Sequence, residues 1–487
     1  MAPFTPLFID GQQLPSSDGS TFEIRNPFSM VVVGNSASAT SEDCQNAIIS
    51  AGKAFKTWEH SSLDERCDIF LRAAELLKLD RYKDRILKDV IEETAAAPVF
   101  AKWGTFASGL LHDIATLINE LDGVCFPSRR VKGGTVAIER RAMGVILAIA
   151  PWNAPVQLTL RAILVPILCG NTVVFRSSEN SPRSQAIIFE LLQEAGLPAG
   201  VFNFISTSRE TAPQLTAEMI AHPLVRKINF TGSDRAGRAI AIEAAKHLKP
   251  CVLELGGKAP VVVLDDANID EAAKAIVHAA FLHSGQICMS TERVIIQRGV
   301  FDNLRDQICK LARSLKAGNP ETEPSVKLGC LFSESSAENV ISIIQEAKEA
   351  GASVLVGDIA RDGAVVQPHV VTDVKPGMKL WDRESFGPVL VLIAADSIDE
   401  AVDLANASDY SLTAALWTSD LYLAKSISSR IRSGYVNING NTIGAETVHG
   451  LRGLGGSSGY GRFSVDEFTD QRVVITHPLG ASYPLLD

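Results

Sequence analysis

Between residues 144 and 265 short β-branched runs alternate with segments of helical spacing: GVILAIA, a helix over 156–168, NTVVFR, a helix over 183–195, VFNFIS, a helix, VRKINF, a helix and CVLEL. Strands separated by helices cross over rather than turn back as hairpins, so the alternation dictates a mostly parallel sheet covered by helices. A second series follows: PVVVLDD, a helix over 269–283, RVIIQ, a helix over 299–316, and strands near 353, 367 and 388. The chain is therefore expected to form two successive Rossmann-like α/β units. Its 487 residues suit this, because domains usually hold roughly 100 to 200 residues.

Upstream, the pattern from about 40 to 122 is helical. Ser41 is the expected N-cap of SEDCQNAIISAGKAFKTW, with acids in the first turn. Residues 124–142, VCFPSRRVKGGTVAIERRA, predict two strands around Lys132-Gly133-Gly134, a basic hairpin placed to serve subunit contact. No internal repeat or low-complexity tract is seen.

Charge and cysteine usage narrow the partners. The formal net charge of −10 disfavours attraction to nucleic acid or anionic lipid. No apolar run is long enough to predict a membrane span, and the N-terminal text has neither a secretory nor a mitochondrial pattern. The eight cysteines form no CxxC pair and no Cys/His cluster at zinc spacing, so reduced thiols, a cytoplasmic location and no metal site are expected.

Five segments can carry chemistry. FLHSGQICMSTERVIIQ places Cys288 between an apolar helix and a strand, at a junction suited to a nucleophile; the plain alternative is a packed thiol. In CVLELGGKAP, Glu254 lies among Val252, Leu253 and Leu255, a setting that raises a carboxyl pKa toward the range of a general base, unless the side chain faces water. In APWNAP two prolines stiffen a loop around Asn153, whose amide can donate to an oxyanion or simply cap the next helix. FTGSDRAG follows a strand and opens a helix, so Gly232, Ser233 and Gly237 can bring backbone N–H groups to a pyrophosphate; such turns also occur without a ligand. Arg176 and Glu179 end the strand NTVVFR where a ribose can be read.

PWN, GNTVVFRSSE, AGLPAGVFNFI, FTGS, LELGGK, GQICMSTER, ESFGPV and SGYGR, in this order, resemble the aldehyde dehydrogenase superfamily over residues 20 to 480. The interval from Glu254 to Cys288 also matches the family's spacing of base and nucleophile. The resemblance implies an NAD-binding domain (1–123 and 143–254), a catalytic domain (255–455) and a small β oligomerisation extension (124–142 and 465–487) that makes a homodimer or homotetramer. It implies that Cys288 attacks the aldehyde carbonyl, that the Asn153 side chain and the Cys288 N–H hold the oxyanion, and that Glu254 activates the water that hydrolyses the thioester. Glu384 of ESFGPV matches the ligand of the nicotinamide ribose and Phe386 a position beside the nicotinamide. Trp152, Gly232, Ser233 and Leu255 match positions lining the cofactor.

Two departures from the family's pattern stand out. Arg176 replaces the usual Lys, and Ser177-Ser178-Glu179 replaces Pro-Ser-Glu; Glu179 favours NAD over NADP by repelling a 2′-phosphate, while Arg176 pulls the other way. In GLRGLGGSSGYGR, Leu454 and Ser457 stand where the family usually has an aromatic residue and a Lys. GQICMSTER, Arg176, the ING of 438–440 and SGYGRF look most like the salicylaldehyde, vanillin and benzaldehyde dehydrogenase branch. An aromatic aldehyde is the implied substrate, with Val156, Leu160, Ile287, Met289 and the 441–444 loop (Asn441 and Ile443 above all) as pocket candidates. The alternatives are an aliphatic aldehyde or semialdehyde, transfer to coenzyme A, a catalytically silent homologue, and a Cys-His hydrolase using His283.

Overall fold

The structure, a computed structural model, describes residues 2–444, 446, 452–480 and 485, apart from 321 and 324. The first α/β series forms a sheet in which Cys251–Glu254, Val225–Thr231, Val145–Ile149, Thr172–Arg176 and Phe202–Ile205 run parallel in that spatial order. Antiparallel strands extend both edges: Leu7–Ile9 beside 202–205, followed by Gln12–Leu14, and Gly459–Tyr460 beside 251–254. The period of two decides which helix each side chain meets. Ile146 and Ala148 face helices Pro155–Leu168 and Pro182–Glu194, whereas Val145, Leu147 and Ile149 face helix Ser41–Trp58 and its neighbours on the other side.

The second series builds a seven-stranded sheet ordered Ser353–Val356, His369–Thr372, Val389–Ala395, Thr291–Gln297, Ala259–Val263, Thr413–Trp417, Tyr435–Ile438. All neighbours are parallel except the first pair. Val261 and Val263 pack under helices Ile269–Phe281 and Phe301–Arg313, and Val262 packs on the opposite face. Sheets buried on both faces explain why these strands read as unbroken apolar runs.

The 124–142 segment is the expected hairpin, Val124–Pro127 with Thr135–Ala142, and Thr469–Thr476 adds a third antiparallel strand along its other edge. The last residues of the 465–487 segment, 481–484 and 486–487, lie outside the described residues, as do 447–451 at the start of the Gly-rich loop.

Two local expectations are corrected. The N-cap of the first long helix is Thr40 rather than Ser41, because that register makes Asp43 the third helical residue: Thr40 Oγ1 accepts from the Asp43 N–H while the Asp43 carboxylate accepts from the Thr40 N–H. The helix expected over 269–283 stops at Phe281, and His283 and Ser284 take left-handed backbone conformations, φ 53° and 56°. The chain is thereby turned out of the helix toward Cys288.

Candidate active site

The turn after Phe281 is held by hydrogen bonds to distant segments. Ser284 Oγ donates to the Gly329 carbonyl (2.7 Å), and the Gln286 side chain donates to the Cys330 carbonyl (3.3 Å) and accepts from the Phe332 N–H (2.8 Å). Asn153 Nδ2 donates to the Gln286 carbonyl (2.9 Å), which ties the APWNAP loop to the same turn. One of the two amide protons of Asn153 is thus engaged, leaving one for a ligand. Cys288 follows, half-buried, on the wall of a cavity of about 290 Å³. Burial pushes its thiol well above the usual range, the Glu254 and Glu384 carboxylates add to this, and the Arg161 guanidinium opposes it.

Glu254 ends strand 251–254 and is 2 % exposed. The apolar setting expected from Val252, Leu253 and Leu255 is not what its carboxylate meets. Arg161, on helix 155–168, places Nη2 2.6 Å from Glu254 Oε2. Chain neighbours on a strand point to opposite faces, so surroundings inferred from them miss a residue brought over from a packed helix. Among the described residues Glu254 Oε1 has no hydrogen-bond partner.

The glycines after Glu254 let three segments converge. Gly256 has φ +125°, and a Cβ there would lie 2.7 Å from the Glu384 carboxylate; one on Gly257 would lie 2.4 Å from the Cys288 carbonyl oxygen. The Gly257 N–H donates to Glu384 Oε1 (3.1 Å). Burial holds the Glu384 carboxyl well above the usual carboxylate range, helped by Glu292. Glu292 in turn accepts from the Ser385 N–H and Oγ–H and pairs with the fully buried Lys258, which anchors the ESFGPV loop.

The cavity is lined by Cys288, Glu254, Asn153, Trp152, Gly232, Ser233, Leu255, Glu384 and Phe386, so residues scattered over nearly half the chain meet in one place. Trp152 stacks on Phe332 (4.3 Å between centroids) and meets Phe386 edge-on (6.2 Å). Ser233 caps helix Asp234–Lys246, and the Gly232 N–H donates to the Glu254 carbonyl (3.0 Å). Arg176 and Glu179 stand apart from this cavity at the carboxyl end of strand 172–176. There Arg176 donates to Thr207 Oγ1 (3.1 Å) and lies 3.7 Å from Glu179.

The substrate-pocket candidates divide. Val156 and Leu160 are fully buried in the core and do not line the cavity; Leu158, between them on the helix, does. At 100° per residue the face toward the cavity is that of 158 and 161, not 156 and 160. Ile287 and Ile443 are buried in that same core, with Met289 packed against it. The Met289 carbonyl accepts from Thr442 Oγ1 (2.7 Å), so the 441–444 loop does reach the chain neighbour of Cys288, while Asn441 closes a turn onto the N–H groups of Ile443 and Gly444. His283 is no partner for Cys288: it stacks on Phe100 (4.1 Å, 3°), and burial brings its pKa down to about 3. In the altered Gly-rich loop Ser457 Oγ donates to Asp409 (2.7 Å) and Ser458 Oγ to the Gly256 carbonyl (2.6 Å), so the loop still clamps the LELGGK segment.

A sequence profile of the aldehyde dehydrogenase family matches residues 14–476. The chain belongs to the aldehyde dehydrogenase family. Among its relatives the vanillin dehydrogenase of Pseudomonas fluorescens is 39% identical, with 99% of each chain covered. The crystal structure of a salicylaldehyde dehydrogenase from Pseudomonas putida G7, complexed with salicylaldehyde, superposes with a TM-score of 0.95 at 36% identity, covering 99% of this chain and 100% of that one. An NADP-dependent glyceraldehyde-3-phosphate dehydrogenase from Bacillus halodurans C-125, complexed with NADP, gives 0.89 at 31% identity, covering 97% and 99%. Among the described residues no helix is long and apolar enough to cross a membrane.

The family resemblance in the sequence did not bring out Arg161, Thr231, Leu158, Phe332 or Ser336. Arg161 had a signal, as the one charged residue in the apolar helix text PVQLTLRAILVPIL. Phe332 and Ser336 had none, since only the tertiary fold brings them to the cavity.

Proposed function

We propose that this aldehyde dehydrogenase oxidises an aromatic aldehyde to its carboxylic acid with NAD. The observation carrying the reading is that Cys288, Glu254 and Asn153 share one cavity whose remaining wall includes the rings of Trp152, Phe332 and Phe386. Flat aromatic walls suit a flat ring, and relatives named for vanillin and salicylaldehyde support the choice.

In this reading Cys288 sulfur attacks the carbonyl carbon, its proton passes to solvent, and the carbonyl electron pair moves onto oxygen. The free amide proton of Asn153 and the Cys288 N–H then hold that oxyanion. A bound nicotinamide dinucleotide supplies the hydride acceptor, and the residues suit it: Glu384 is a buried carboxylate with a single N–H donor, ready for ribose hydroxyls, and the Gly232-Ser233 turn opens helix 234–246 toward a pyrophosphate. Glu254 takes a proton from water as the water adds to the Cys288 thioester, and the thiolate leaves as the acid forms. Arg176, engaged by Thr207 and Glu179, is not free for a 2′-phosphate, which supports NAD. The outer strand 469–476 and strand 124–127 leave Val473, Val474, Ile475, Val124 and Phe126 exposed, a surface for a homodimer or homotetramer. Eight unpaired cysteines suit the cytoplasm.

The test is NADH or NADPH release with salicylaldehyde, benzaldehyde, vanillin, hexanal and a semialdehyde, each with NAD and with NADP. The aromatic aldehydes with NAD are expected to give the highest kcat/KM; preference for hexanal or the semialdehyde, or for NADP, overturns the corresponding part of the proposal.

A further inference from the structure

Glu254 is buried at the end of a strand, facing two acidic groups and one cation. The charged or ionisable groups facing it are Cys288 from the turn after Phe281, Glu384 from the ESFGPV loop and Arg161 from helix 155–168. Beyond Arg161 lie Tyr435 and Arg462. One cation faces this carboxyl group, which is 2 % exposed. Arg161 is that cation, and it is itself fixed. Its guanidinium lies over the Phe463 ring (4.7 Å), reaches Thr231 Oγ1 (3.4 Å) and is 18 % exposed. The contact engages Glu254 Oε2 alone and leaves Oε1 without a partner among the described residues.

We propose that Arg161 is the positioning residue for the general base: it clamps one oxygen of the buried Glu254 side chain so that the other is presented to the hydrolytic water. The proposal rests on the reading of Glu254 as that base. An arginine suits the task because its planar donors fix the direction of the carboxylate. Arg161 touches neither reacting atom, so its effect should fall on deacylation, not on formation of the thioester.

The experiment compares the full-length enzyme with Arg161→Leu, Arg161→Gln, Arg161→Lys and Glu254→Gln. Stopped-flow NADH bursts and steady-state kcat with benzaldehyde and NAD are recorded from about pH 5.5 to pH 9. Arg161→Leu and Arg161→Gln should keep a full burst and lose steady-state rate by about 100-fold, the cost of a group misplaced on the order of 1 Å. Arg161→Lys should recover most of the steady-state rate. If Leu will not fold at 161, the polar Gln variant reads the same loss. A burst and a steady-state rate that fall together, or a Lys variant that recovers nothing, overturns the proposal and makes Arg161 merely structural. An unchanged deacylation rate in Glu254→Gln instead removes the base reading itself, whatever the Arg161 variants do.

Discussion

Gly257 and Cys288 meet backbone to backbone: a Cβ on Gly257 would stand 2.4 Å from the Cys288 carbonyl oxygen. The position of Cys288 is therefore set by the absence of a side chain on another segment. Gly257→Ala should push the Cys288 turn outward by a fraction of an ångström or more, and misplacement on the order of 1 Å can cost about 100-fold in rate. The expected result is a kcat lowered by about 10- to 100-fold with unchanged far-UV circular dichroism. Wild-type turnover would show that the turn can yield freely.

Cys288→Ala should abolish NADH formation while NAD still quenches protein fluorescence at unchanged concentration, since the residues proposed to hold the dinucleotide, Gly232, Ser233 and Glu384, are left in place. Glu254→Gln should retain the first-turnover burst and lower steady-state turnover by about 10²- to 10⁴-fold, the usual range for a general base. A variant at 288 that still turns over would remove the covalent mechanism.

The resting thiol is held well above its usual pKa by burial, with the neighbouring carboxylates adding to the effect. Below that pKa the thiolate fraction grows about tenfold per pH unit. Alkylation of Cys288 by iodoacetamide in the free enzyme, followed on the peptide that contains it, should accelerate in that proportion from pH 7 to pH 9. A rate that levels off near pH 7 would mean that the thiol is already ionised.

His283 is buried against Phe100 with its pKa down to about 3 from 6.5, both ring nitrogens lacking partners. The unfolded chain binds the proton that the folded chain refuses, so this residue's contribution to stability is present above about pH 6.5 and is lost as pH falls toward 3. His283→Phe keeps a ring to stack and removes the titration. Compared with the parent, the variant should lose less thermal stability between pH 7 and pH 5; equal losses would contradict the assignment.

Much of this was legible in the text of the chain. Strand-helix alternation carried both sheets, because a strand buried on both faces needs a continuous apolar run and a crossover helix to reach its parallel neighbour. LELGGK, GQIC and PWN each sit where a strand or helix ends, so the motifs already marked the cavity's rim. Boundaries slipped where a local choice was close: Thr40 and Ser41 both offer a capping hydroxyl, and only Asp43 decides between them.

The sequence alone determined the fold class and the family, and it singled out Cys288, Glu254, Asn153 and Glu384 as candidates, because each rests on local text whose chemistry is carried by residue type. Only the tertiary structure decided what those groups meet. Arg161 lies 93 residues from Glu254, and its contact depends on the phase of helix 155–168 against strand 251–254. The same phase buries Val156 and Leu160 and brings Leu158 to the cavity. Electrostatic surroundings are set by distance in space, which packing fixes and chain order does not.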